Sequence, residues 1–194
     1  MGFRMLYIFS DDYFFAQGVS GLLKTEGIKS TCFLISEKSD NSYISRLRLT
    51  LDDACMIAIE CETLRKRVCE LIAKQTNKVC FVYDFRVGDI ISLLPDCGFL
   101  SKRSQLHEFL TVLNSISFKE NNWLSLTTED DQFLDLYISG INLSMAASKV
   151  GRSVKRCYGR KYEILDSKGI SRRNAYSILL LKKIASSNIY FKER

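Results

Sequence analysis

The chain has 194 residues, 46% hydrophobic and 26% charged, which suits one medium or two small domains with a real core. No run of about 18 apolar residues offers a bilayer span, and the opening MGFRMLYIFSDDYFF meets acids too early for a secretory signal, so a cytoplasmic protein is expected. The net charge of +6 sits wholly in the last third: residues 1–118 carry 14 Lys/Arg and 14 Asp/Glu, residues 119–194 carry 14 and 8.

In chain order, MLYIFSDD reads as a short strand stopped by acids, and YFFAQGVSGLLKTEG as a helix with Phe15, Val19, Leu22 and Leu23 at helical spacing and Gly27 as its stop. STCFLIS (30–36) predicts a second strand, NSYISRLRLTL (41–51) a helix, and ACMIAIE (54–60) a strand apolar enough for burial on both faces of a parallel sheet. TLRKRVCELIAKQTN predicts a helix, KVCFVYD a fourth strand, VGDIISLLPDC a short helix, GFLSK a fifth strand and SQLHEFLTVLNSI a closing helix. Five alternating βα units make a doubly wound α/β domain. The polar SFKENN (117–122) is the best linker, which gives domains at 1–118 and 124–194 joined by 119–123.

Beyond the linker every segment has helical period: TTEDDQFLDLYIS, LSMAASKV, a helix from about Val154 to Asp166, and NAYSILLLKKIA, with tight turns at Gly140 and Gly151. Residues 149–173 hold nine Lys/Arg against two acids, a field that draws phosphate backbones or an acidic membrane surface. With Ser153 as N-cap, one face of the third helix gathers Lys155, Tyr158, Gly159, Tyr162 and Asp166, while Cys157, Ile164 and Leu165 turn inward. Arg156, Arg160 and Lys161 flank that face, and Arg152 precedes it. A membrane-lying helix would need a wide apolar face with Trp or Phe, so the pattern favours a helix in the major groove of double-stranded DNA, with no membrane partner.

Seven cysteines, mostly in apolar stretches and never as C-x-x-C, point to reduced buried thiols rather than a disulfide or zinc framework. The single His107 reads as a helix-surface residue, and no P-loop or G-x-G-x-x-G occurs, so no cofactor and no enzymatic activity are expected.

These residues also carry a resemblance. From Leu126-Thr127 through Leu134, Leu136, Gly140, Ala147, Ser153, Lys155, Ile164, Leu165 and Gly169, residues 124–180 resemble the LuxR/FixJ-type four-helix DNA-binding domain, and ASKVGRSVKR is similar to Rcs-type regulators. The resemblance implies that the helix from Val154 reads DNA, with Lys155, Tyr158, Gly159 and Tyr162 facing bases and Lys161 on a phosphate or base. The chain departs from the family in Asp130 for its Glu, Arg156 for its Thr and Lys168 for a core Leu.

Beside such a domain, the five βα units look like the receiver of a response regulator, which needs acids at the carboxyl edge of its sheet for Mg²⁺ and phosphate. Here Ser10 takes the first acidic position, Asp11 the second, Glu60 or Ala58 the acceptor position, and Lys102 the family's lysine. This is a vestigial site. Asp11 and Lys102 are expected to form a retained salt bridge, and Glu60 is either inert or a mimic of a phosphorylated Asp.

The whole predicts a degenerate, doubly wound five-stranded receiver-like domain followed by an all-α four-helix helix-turn-helix domain. Its expected role is a sequence-specific transcriptional regulator, phosphorylation-independent, acting as a homodimer or as a heterodimer with another LuxR-type or Rcs-like regulator. The alternatives are an interaction module that modulates another regulator, and an atypically phosphorylated switch.

Overall fold

The computed structural model describes residues 3–37, 42–76, 78–85, 99–116, 126–167, 170 and 174–188. They fall into two compact units, the first holding all five strands and four helices, the second four further helices. The expected boundary at 119–123 and the helix expected at 87–97 lie outside the described residues.

In the first unit β1 (Leu6–Ser10), β2 (Ser30–Leu34), β3 (Ala54–Ala58), β4 (Val79–Tyr83) and β5 (Phe99–Ser101) form one parallel sheet ordered β2-β1-β3-β4-β5. β3 and β4 are buried throughout, as unbroken apolar sequences require of central parallel strands, and the short β5 at the end of the sheet is buried as well. On one face Leu6, Ile8, Met56 and Val82 pack with Val19 and Leu23 of α1 (Tyr13–Thr25) and with Phe109, Val112 and Leu113 of α4 (Leu106–Ile116). The alternate residues are aromatic: Phe9 stacks on Phe33, and Phe81 stacks on Phe99 and Tyr83. Arg65 of α3 (Glu62–Ile72) lies 5.7 Å over the Tyr83 ring, which puts α3 against this second face. Strand order crosses over between β1 and β3, so the crevice beyond their carboxyl ends is where such sheets build ligand sites.

Two expected elements are shorter than their sequence pattern. The helix expected over 41–51 is only α2 (Ser42–Arg46), because the next backbone amides find side-chain partners: Leu49 donates to Gln75 (2.8 Å) and Thr50 to Asp53 (2.8 Å). Strand β3 stops at Ala58 because the Glu60 and Cys61 amides turn to Asp11.

The second unit comprises α5 (Thr128–Ile138), α6 (Leu143–Lys149), α7 (Val154–Ser167) and α8 (Ala175–Asn188). Its core is Phe133, Leu134, Ala146, Ala147, Cys157, Ile164, Leu165, Ile178, Leu181 and Ile184. Thr127 caps α5 and Asn142 caps α6, each side-chain oxygen accepting the amide three residues on. Gly140 and Gly151 have φ of +75° and +65°, the left-handed conformation a tight helix exit requires. At Gly151 the Val150, Gly151 and Arg152 amides return to the carbonyls of Ala146, Ser148 and Ala147, closing α6 and turning the chain into α7.

Candidate nucleic-acid interface and the sheet-edge charge cluster

Ser153 begins α7 as expected: its hydroxyl accepts the Arg156 amide (3.3 Å) and its carbonyl the Cys157 amide (3.0 Å). From that start, Cys157, Ile164 and Leu165 face the core. Lys155, Arg156, Tyr158, Gly159 and Asp166 are exposed, and Tyr162 is half-buried. A Cβ placed on Gly159 would meet nothing within 4 Å, so the bare backbone there is open to a ligand and is not demanded by packing.

The cations divide into two groups, which their sequence did not distinguish. Arg160 is clamped to the buried Asp130 of α5 by two parallel bonds of 2.8 Å, and also reaches Glu163 at 3.3 Å. Partial burial alone would raise the Asp130 carboxyl, but the Arg160 guanidinium and the Thr127 hydroxyl hold it below the usual carboxylate range. Arg152 pairs with Glu129 at 2.6 Å. Arg160, expected to flank the face, and Arg152, expected to precede it, thus pin α7 to the scaffold helix α5. Lys182 does the same for α8, meeting Asp131 at 2.6 Å and Asp135 at 2.7 Å.

Lys161 requires a correction. Expected on a phosphate or base, it is 3% exposed. Its ammonium lies 4.9 Å from the Tyr137 ring centre, 5.0 Å from that of Tyr162 and 5.6 Å from that of Tyr158, and donates to Tyr137 Oη at 3.3 Å. Each ring over a largely desolvated cation contributes about 0.5–2 kcal/mol, which offsets the burial that would otherwise expel a lysine. The solvent-facing set is therefore Lys155, Arg156, Tyr158 and Gly159, edged by Tyr162, with Lys149 exposed at the end of α6.

At the carboxyl edge of the sheet the structure gathers Ser10, Asp11, Glu60 and Lys102, though not in the expected pairing. Lys102 meets Asp12 at 3.4 Å and Glu60 at 3.7 Å, rather than Asp11. The reason is that Asp11 Oδ2 accepts the Glu60 and Cys61 amides at 2.9 and 3.0 Å. Asp12 is the N-cap of α1; the Phe15 amide first, and Lys102 with it, keep its carboxyl below the ordinary range against its partial burial. Ser10 Oγ shares its proton between the Ala58 and Asp12 carbonyls, 3.1 Å from each, and accepts the Asp12 amide. The buried Arg65 donates to the Ile59 and Glu60 carbonyls at 3.0 and 3.1 Å. Strand register pairs Ser10 with Ala58, a bare methyl, while the Glu60 carboxylate beyond the strand end reaches the lysine.

This cluster does not fit the receiver's divalent cation. The first carboxylate is a hydroxyl engaged with carbonyls, Asp11 is committed to two amides, and the Lys102 ammonium stands between the remaining acids. Among the described residues no three His, Cys, Asp or Glu side chains converge to hold a metal.

The cysteines are reduced among the described residues, and Cys55, Cys69, Cys80 and Cys157 are buried. Burial pushes the Cys69 thiol up to about 12. His107 is exposed on α4, and no described helix is long and apolar enough to cross a membrane.

Sequence reasoning missed Asp12, Arg65, Glu129, Asp130 and Tyr137 as parts of these sites. Only Asp12 carried a local signal, an aspartate three residues before Phe15 where a helix N-cap belongs; the others act across 5 to 30 residues of chain.

No family model and no curated protein matches the sequence. Solved structures do. A structure described as two RcsB dimers bound to two parallel DNAs superposes with a TM-score of 0.55 at 15% identity, over 95% of this chain and 98% of that one. A second, of the two-component response regulator RcsB in complex with DNA, gives 0.51 at 13% identity, over 92% and 97%. Across nearly its whole length, this chain shares the fold of these RcsB structures: a doubly wound five-stranded α/β unit followed by a four-helix helix-turn-helix unit.

Proposed function

We propose that the chain is a sequence-specific transcriptional regulator that binds double-stranded DNA through α7 and works as a dimer without aspartyl phosphorylation. The observation that carries this reading is the geometry of α7: a helix entered by a tight left-handed turn, pinned to its scaffold by Arg152 and Arg160, and presenting Lys155, Arg156, Tyr158 and a bare Gly159 to solvent. Side chains at the start of such a helix reach base edges while flanking cations hold phosphates. The DNA-bound state of the similarly folded RcsB supports the assignment. Two-fold operators need two reading helices about one DNA turn apart, so a dimer is the active form, made by a second copy or by another LuxR-type regulator. A role in transcription places the protein in the cytoplasm and assigns it no reaction to catalyse.

Independence from phosphorylation rests on the receiver-like site, where the metal-holding carboxylates are replaced or already engaged. Selection of duplexes from a randomised library by the full chain, followed by sedimentation of the complex, tests the reading. An enriched duplex with two half-sites, bound by two protein chains, is expected. Binding of all duplexes alike would instead favour a module that acts on another regulator.

A further inference from the structure

Lys161 is buried, yet carries a charge on the helix that faces solvent with Tyr158 and Tyr162. Those two rings lie 6.4 Å apart, tilted by 37°. Both touch the Lys161 ammonium, as does Tyr137 of α5, so one cation joins the scaffold helix to two tyrosines of the outward face. A tyrosine on an exposed helix otherwise moves among its staggered rotamers. A cation seated on the face of the ring selects the rotamer that keeps it there. Tyr158 remains 44% exposed, so the ring is held from one side and offered to solvent from the other.

We propose that Lys161 is a positioning residue for specificity: its ammonium fixes the Tyr158 and Tyr162 rings so that they discriminate bases, and it contacts no phosphate itself. This rests on α7 reading DNA. Loss of the charge frees the rings and blurs base preference, while the number of phosphates neutralised stays the same.

The experiment uses the full chain, the duplex that wild type enriches from a randomised library, and a shuffled duplex of equal composition. Lys161→Met, similar in length but neutral, is expected to lower the enriched-to-shuffled affinity ratio about tenfold and to leave the salt dependence of binding unchanged. Lys161→Arg restores most of the ratio, because a guanidinium also seats on aromatic faces. Tyr137→Leu, a change on α5, lowers the ratio in the same direction.

A purely structural role predicts lower melting temperatures with an unchanged ratio, and that result overturns the proposal. A phosphate contact predicts equal weakening on both duplexes and a salt slope shallower by about 0.9, which overturns it too. If Lys161→Met does not fold, Tyr137→Leu decides: a wild-type ratio there refutes the role. Failure of wild type to enrich any duplex refutes DNA reading and this role together, whereas an enriched duplex whose preference survives Lys161→Met refutes this role alone.

Discussion

The two charged clusters of this protein look alike in sequence and differ in what their charges face. At the sheet edge, Asp11, Asp12, Glu60 and Lys102 turn to one another and to backbone amides, with Arg65 holding the same loop from behind. At α7, Arg152 before the helix and Arg160 and Lys161 on it likewise turn to partners within the unit, but Lys155 and Arg156 remain in solvent. A cluster that satisfies its own charges is a brace; one that leaves charges over can receive a ligand. Counting cations therefore overstates the interface, and the partner of each cation has to be known.

The largest effect expected from breaking this division is at the brace. Asp130→Asn leaves Arg160 with half a partner and should destabilise the helical unit by about 2–3 kcal/mol, less than a fully buried pair because Arg160 is partly exposed. Denaturation followed by circular dichroism measures it. The pH dependence has a fixed sign. The folded Asp130 carboxyl lies below its unfolded value, so its contribution is present above about pH 4 and is lost as pH falls through the folded value. Wild type should lose stability in acid, and Asp130→Asn should lack that part of the loss.

Next in size is the contrast between two neighbouring arginines. Arg156→Ala should weaken binding to all duplexes and make the salt slope shallower by about 0.9, the release of one counterion. Arg160→Ala should instead lower the melting temperature, with a slope close to wild type. Equal slopes for the two variants would erase the distinction between brace and contact.

A smaller effect is expected at Gly159. Alanine there meets open space and should stabilise α7 by about 1 kcal/mol, yet weaken DNA binding by obstructing close approach of the backbone. A thermal melt beside a binding titration separates these opposite signs. The smallest effect is expected at the sheet edge: beryllofluoride or acetyl phosphate should leave DNA affinity unchanged, and Glu60→Gln should change it little, because a carboxylate supplies less charge and fewer acceptors than a phosphoryl group. Base-labile incorporation of phosphate with tighter binding would make this unit a conventional switch.

How far the sequence could be read follows from the range of the interactions. Strands β3 and β4 were legible because a buried parallel strand is an unbroken apolar run, and the α6–α7 turn because Gly151 must take a positive φ. The 41–51 segment was misread because Gln75 and Asp53, distant or polar, take the amides a helix would have used. The face of α7 was legible from 100° per residue, but the state of its cations was not. Helical phase placed Lys161 beside the outward face; only the packing of α5 brings Tyr137 over it. Asp11 was assigned the lysine that Asp12 holds, because the one-residue difference is set by where α1 begins.

The central claim is that the solvent-facing part of α7 reads base sequence. It is tested most directly by titrating wild type, Lys155→Ala and Tyr158→Ala against the enriched and shuffled duplexes at several salt concentrations. Each variant is expected to lose about 1–3 kcal/mol on the enriched duplex, with preference relaxed at one base step, and much less on the shuffled one. Variants that bind both duplexes as wild type does would contradict it.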